Sequence, residues 1–169
     1  MILTMECHKG LSRRKFILST ASIVIFQSVF APGISQAREA LFEEMPLCKL
    51  GDLEQGVPLV LEYPKGSSEK ILLVKLGVPA GGGVGEDQDI VAFHTVCPHM
   101  GAPLDSEFSA SNYSLGPCPY HLAVYDLTRH GMQVTGHAIE PLAQVLLKSE
   151  NGNLIACGFR SLIYGTVGE

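Results

Sequence analysis

Charge is scarce in this chain. Of its 169 residues only 17% are Asp, Glu, Lys or Arg, against 46% apolar. That balance excludes a disordered polypeptide, because so much apolar surface collapses into a core, and the length suits one domain. Basic residues are scarcer still beyond residue 37, where 8 Lys and Arg stand against 16 Asp and Glu, a net charge of −8 with His neutral. An acidic balance of that size disfavours nucleic acid as a partner. Long apolar runs are missing too. Phe16 to Ala31 is 16 residues long, carries Gln27 and several serines, and ends at Pro32-Gly33; a spanning helix needs roughly 20 apolar residues. No repeat period or low-complexity tract is present.

What the N-terminus does contain is a basic segment, Ser12-Arg13-Arg14-Lys15-Phe16-Ile17-Leu18, running into that short apolar stretch. The arrangement reads as an export signal, and the paired arginines resemble the twin-arginine signal that exports proteins already folded around a cofactor. Ser35-Gln36-Ala37 offers small residues where a signal peptidase reads. The expected division is therefore a signal peptide over 1–37 and a mature, periplasmic domain over 38–169 without a stable membrane span.

Beyond residue 38 short runs rich in Val, Ile, Leu and Tyr are separated by Gly, Pro, Asn and Asp clusters, which predicts an all-β domain. Strands are expected at Pro58–Tyr63, Ile71–Leu76, Ile90–His94, Val124–Leu127, Ala143–Lys148, Asn153–Cys157 and Leu162–Tyr164. Hairpin turns are expected at Tyr63-Pro64-Lys65-Gly66 and Glu150-Asn151-Gly152-Asn153. Gly81-Gly82-Gly83 and Gly85 resemble a phosphate loop only superficially. Such a loop must open a helix whose free N–H groups hold the phosphate, and here Asp89-Ile90-Val91-Ala92-Phe93 reads as a strand. A flexible inter-strand loop is expected instead.

The chemistry concentrates in two boxes, Cys97-Pro98-His99-Met100-Gly101-Ala102 and, later, Pro117-Cys118-Pro119-Tyr120-His121. Each supplies one thiolate and one imidazole, spaced C-x-H and C-x-x-H. Thiolates suit sulfide-bridged Fe(III), and exchanging two of four thiolates for neutral imidazoles lowers the negative charge at one iron and raises the reduction potential. Cys97, His99, Cys118 and His121 are thus read as ligands of a 2Fe-2S cluster, the cysteines on an inner iron and the histidines on an outer one toward solvent. Zinc is the competitor, since two Cys and two His also make a tetrahedral zinc set. Zinc fingers, however, pair Cys with Cys and His with His, and each box here mixes the two.

These boxes resemble the Rieske family. The resemblance implies an all-β, Rieske-type antiparallel β sandwich with a small cluster-binding subdomain at one end, here about residues 95–127, and a Rieske-type 2Fe-2S cofactor. The signal, Val74-Lys75-Leu76-Gly77 with the glycine loop, the extended first box through Pro103-Leu104, and the end Leu162-Ile163-Tyr164-Gly165 are similar to the small subunit of the arsenite oxidase and iodate reductase group of periplasmic molybdoenzymes. That likeness implies an electron-transfer subunit with no substrate chemistry of its own. Its partners are then a molybdopterin-containing large catalytic subunit and a periplasmic cytochrome or copper protein, with electrons flowing outward from arsenite or inward to iodate. The alternatives are an anchored Rieske subunit of a quinol-oxidising complex, a Rieske ferredoxin serving a dioxygenase, and a nonredox module stiffened by metal.

Departures from the wider family pattern are informative. Quinol-oxidising members carry two further cysteines that form a disulfide between the boxes, and this chain has Ala102 and Tyr120 there. They also place a Ser two residues, and a Tyr four residues, after the second ligand His, donating hydrogen bonds that raise the potential. This chain has Ala123 and Tyr125, so the resemblance implies a lower potential with part of the tuning kept by Tyr125. Gly136 to Pro141 resembles the proline-containing loop that covers the cluster. Cys48 and Cys157 are left over, a buried apolar role being favoured over a disulfide. His94, His130 and His137 are assigned structural or surface roles, with His94 also near enough in sequence to Cys97 to support the cluster.

Overall fold

The computed structural model describes residues 40–165. The export signal expected over 1–37 lies outside them. Ten strands form three antiparallel sheets: β1 (Ala40–Lys49), β10 (Asn153–Phe159) and β9 (Val145–Glu150) in the order β1-β10-β9; β2 (Leu59–Glu62), β3 (Lys70–Lys75) and β4 (Ile90–His94) in the order β2-β3-β4; and β5 (Phe108–Ser109), β6 (Ser114–Leu115), β7 (Val124–Asp126) and β8 (Met132–Thr135) in chain order. Among the described residues no helix is long and apolar enough to cross a membrane.

The middle sheet organises the rest. β3 and β4 are apolar almost throughout because both of their faces are covered. Ile71, Leu73, Ile90 and Ala92 point into one core with Tyr63, Leu154, Ala156 and Phe159 of the sandwich. The alternate residues, Leu72, Val74, Val91 and Phe93, enter a second core with Leu104, Leu115, Leu127 and Leu142. Cys97, Cys118, Ala123 and Tyr125 belong to this second core, so the predicted ligand sulfurs are anchored in packed interior.

The hairpins form as expected. Asn151 and Gly152 turn β9 into β10 with φ of 49° and 78°, the left-handed pair that an Asn-Gly turn supplies. Leu162–Tyr164 is not a strand; it is irregular chain after β10, and Tyr164 is used in packing instead. β1, β5, β6 and β8 were not expected from the sequence. β5 and β6 are two residues long, too short to show alternation, and β1 carries acidic residues and Pro46 with register shifts along it.

The glycine loop joins β3 to β4, as predicted, and is tied down rather than loose. Gly81 N–H donates to Thr128 O at 2.8 Å, and Gln144 Nε2 donates to Gly81 O at 2.7 Å while its Oε1 meets His130 Nδ1 at 2.8 Å. A side chain at Gly81 would stand 2.6 Å from the His130 ring, and one at Gly82 2.8 Å from Gln144. The glycines are there for close packing.

His94 ends β4 on the sandwich side, edge-on to Phe159 at 6.0 Å between ring centroids. Its Nε2 lies 2.5 Å from Glu69 Oε2. This places it in structure and not beside the boxes. Burial pushes its pKa below the ordinary 6.5, with Glu69 pulling the other way. A depressed folded pKa means that the unfolded chain binds the proton more readily, so this contribution is complete above pH 6.5 and is lost as the pH falls. Thermal melts at pH 7 and pH 5 are expected to show a larger loss for the parent than for His94→Gln, which keeps a donor toward Glu69 but does not titrate.

Candidate metal centre

The two boxes fold as copies of one loop. Cys97 N–H donates to Ala102 O at 2.8 Å and Gly101 N–H to Cys97 O at 2.9 Å; Cys118 N–H donates to Ala123 O at 2.8 Å and Leu122 N–H to Cys118 O at 2.9 Å. Each is a Cys-Pro-x-x-x-Ala segment closed between its first and last residues. The position before the alanine needs a positive φ in both, met by Gly101 at 74° and by Leu122 at 58°. Leu122 tolerates a conformation costly for a side chain because two hydrogen bonds close its loop. The histidine is third in one copy and fourth in the other, so the two imidazoles leave their loops at different angles and converge, 4.7 Å between centroids and 76° between planes.

Cys97 and Cys118 are both 1% exposed, and Cys118 is close enough to Cys97 to disfavour a negative charge on it. His99 is half-buried and His121 exposed. Burial pushes the Cys97 thiol up; the Tyr125 hydroxyl and the His99 backbone N–H, both directed at its sulfur, pull it back. Tyr125 is fully buried, with its hydroxyl 3.1 Å from Cys97 Sγ. Burial, then the neighbouring thiols, hold its own proton on more tightly than in an ordinary tyrosine; toward a Cys97 thiolate, which has no proton to give, its O–H is the donor.

This donor set fits two irons better than one ion. Among the described residues no three His, Cys, Asp or Glu side chains converge as a single ion requires. Instead a thiol pair sits inside and an imidazole pair outside. Zinc in one tetrahedral site would need all four together.

The remaining predicted residues fall around this pair of loops. Ala123 is buried and its carbonyl closes the second box. Ala102 is buried and Tyr120 is 59% exposed, so the bracing comes from elsewhere. Tyr164 lies over Gly101, where an added Cβ would be 2.5 Å from the ring, and Gly136 sits on Ala123, where one would be 2.4 Å from Cα. The covering loop therefore does touch the second box, and its His137 stands 6.3 Å from His99 between ring centroids. Sequence reading gave His137 no such place. The repeated Cys-Pro-x-x-x-Ala pattern was the available signal for the loop symmetry. Cys48 and Cys157 are free thiols, and in the β1–β10 ladder Cys48 is opposite Leu154.

This fold with this pair of loops defines a Rieske-type iron-sulfur protein. Residues 43–149 match the Rieske [2Fe-2S] domain model. The soluble domain of Rieske protein II from Sulfolobus acidocaldarius superposes with a TM-score of 0.65 at 23% identity, covering 74% of this chain and 82% of that one. The plasma membrane Rieske protein PetC3 of Synechocystis PCC 6803 gives 0.50 at 22% identity, covering 66% and 97%. Two curated proteins, each named iodate reductase subunit IdrB, are 45% identical over 159 residues and 92% of this chain: one from Pseudomonas sp. (strain SCT), 82% covered, and one from Denitromonas iodatirespirans, 84% covered. The chain belongs to the Rieske [2Fe-2S] family, and within it to the group of these iodate reductase subunits. Its cofactor is a Rieske-type 2Fe-2S cluster.

Proposed function

We propose that this chain is the electron-transfer subunit of a periplasmic molybdoenzyme of the iodate reductase type, with Cys97 and Cys118 on one iron and His99 and His121 on the other. When bound, the cluster supplies a one-electron carrier. The observation that carries the reading is the polarity of the site: buried thiols packed in the core, imidazoles turned to the surface. Cys97 and Cys118 fix the inner end, and His99 and His121 offer the short route outward. Tyr125 sets the charge balance at Cys97 Sγ. None of these groups forms a substrate pocket, so the reaction belongs to a larger catalytic subunit, with molybdopterin as the centre proposed for it and a periplasmic cytochrome or copper protein as the electron donor. The identity to the two iodate reductase subunits favours iodate over arsenite, and the 1–37 segment is assigned to twin-arginine export.

The test uses the heterodimer purified with its catalytic subunit. Iodate is expected to abolish the EPR signal of the chemically reduced protein within the assay time, and arsenite to leave the oxidised protein unreduced. Reduction by arsenite, with no response to iodate, contradicts the assignment.

Tuning at the loops is tested separately by two variants. Tyr125→Phe removes the donor to Cys97 Sγ and is expected to lower the midpoint potential by on the order of 50 mV, since about 1.4 kcal/mol of differential stabilisation is ~59 mV for one electron. Ala123→Ser is expected to raise it. Redox titration followed by EPR reads both.

A further inference from the structure

A groove of about 600 Å³ runs beside the covering loop, between β8 and the end of β10. Both arginines among the described residues, Arg129 and Arg160, line it. Arg129 is 73% exposed and reaches Asp126 only at 3.7 Å; Arg160 makes no ion pair among the described residues. Apolar groups stand open beside these charges, with Ile139 97% and Met132 53% exposed. Gln133, also on the wall, holds a buried Oε1 without a donor among the described residues.

We infer that this groove receives an acidic, partly apolar segment of the catalytic subunit, its carboxylates on Arg129 and Arg160 and an apolar side chain against Ile139 and Met132. The inference rests on the function proposed above. Charge complementarity selects the occupant: in a chain with net charge −8 beyond residue 37, both described guanidiniums gather in one groove, and guanidinium is the group that grips carboxylate bidentately. Large open apolar side chains fit a standing partner better than a transient carrier, whose contacts are small and wet. Position agrees as well. Ala138, Ile139 and Pro141 line the groove, and His137 of the same loop stands by His99, so a segment seated here brings its subunit to the imidazole pair.

The test is R129E/R160E in the full, cluster-loaded chain, titrated against the catalytic subunit. A second variant, K49E/K65E, makes the same change in net charge on residues outside the groove. The groove variant is expected to bind at least tenfold more weakly with its EPR signal unchanged, and the control within twofold of the parent. R129K/R160K is expected to recover part of the loss. Ile139→Asp, at a side chain that supports no packing, gives an independent weakening should the double variant fail to hold its cluster. Unchanged affinity in R129E/R160E and in Ile139→Asp overturns the inference. So does an intact heterodimer that no longer accepts electrons from the carrier, or loss only of self-association, each of which gives the groove to another occupant. If the parent itself does not associate with a molybdopterin subunit, the proposed function fails along with it, and that outcome is distinguished by the parent arm alone.

Discussion

Cys118→Ser is expected to yield a colourless protein, with iron below a tenth of the parent's and no EPR signal on reduction. Cys118 is buried in the same core as Cys97 and close enough to influence its ionisation. A serine hydroxyl there does not ionise to replace a thiolate, so the cluster is expected to lose the inner ligand proposed at this position. Cys48→Ser and Cys157→Ser are expected to leave colour and iron content unchanged, because both are free thiols on the sandwich strands β1 and β10. Iron analysis and visible absorption of the four single variants, Cys97→Ser included, separate two ligands from two bystanders. Loss of iron in the Cys48 or Cys157 variant would break the assignment.

Gly136→Ala has the second large effect. Gly136 has φ of 106°, and the added Cβ would stand 2.4 Å from Ala123 Cα and 2.9 Å from Ala123 N. Backbone cannot swing aside as a long side chain can, so either the covering loop lifts or the second box distorts. The expected cost is about 3 kcal/mol, roughly 10 °C in Tm, with faster loss of the cluster, since the Ala123 carbonyl closes the loop on Cys118. Gly152→Ala supplies the comparison. Its φ of 78° is strained in the same sense, but nothing lies within 4 Å of the added Cβ. About 1 kcal/mol and an unaltered cluster are expected there, measured by thermal melts with absorption followed in parallel. Equal effects at the two positions would mean that contact with Ala123 does not matter.

The two boxes stood out in the sequence because their chemistry is local: a cysteine, a histidine and a proline within four residues declare a candidate site without any knowledge of the fold. The strands β3, β4 and β10 were legible because they are long and apolar. β5 and β6 were not, being two residues each and defined by their pairing with each other and with β7. The brace of the first box was hidden for a different reason. Leu162-Ile163-Tyr164 has the composition of a strand, and only tertiary structure shows Tyr164 lying across Gly101. His137 likewise carries no local signal; its place beside His99 comes from a loop brought in by β8. Tyr125 was singled out through resemblance, and the structure shows what its sequence position alone does not, a buried hydroxyl 3.1 Å from Cys97 Sγ. The glycine loop leads into strand β4, as its sequence suggested, while its purpose emerged only from the packing of His130 and Gln144 against Gly81 and Gly82.

The most direct measurement on the central claim is EPR of the reduced, purified chain together with its metal and acid-labile sulfide content. Two irons and two sulfides per chain, and a rhombic spectrum with the low average g that imidazole ligation produces, are the expected result. One zinc with no iron would contradict it, as would an iron-sulfur spectrum unaltered by replacing both His99 and His121.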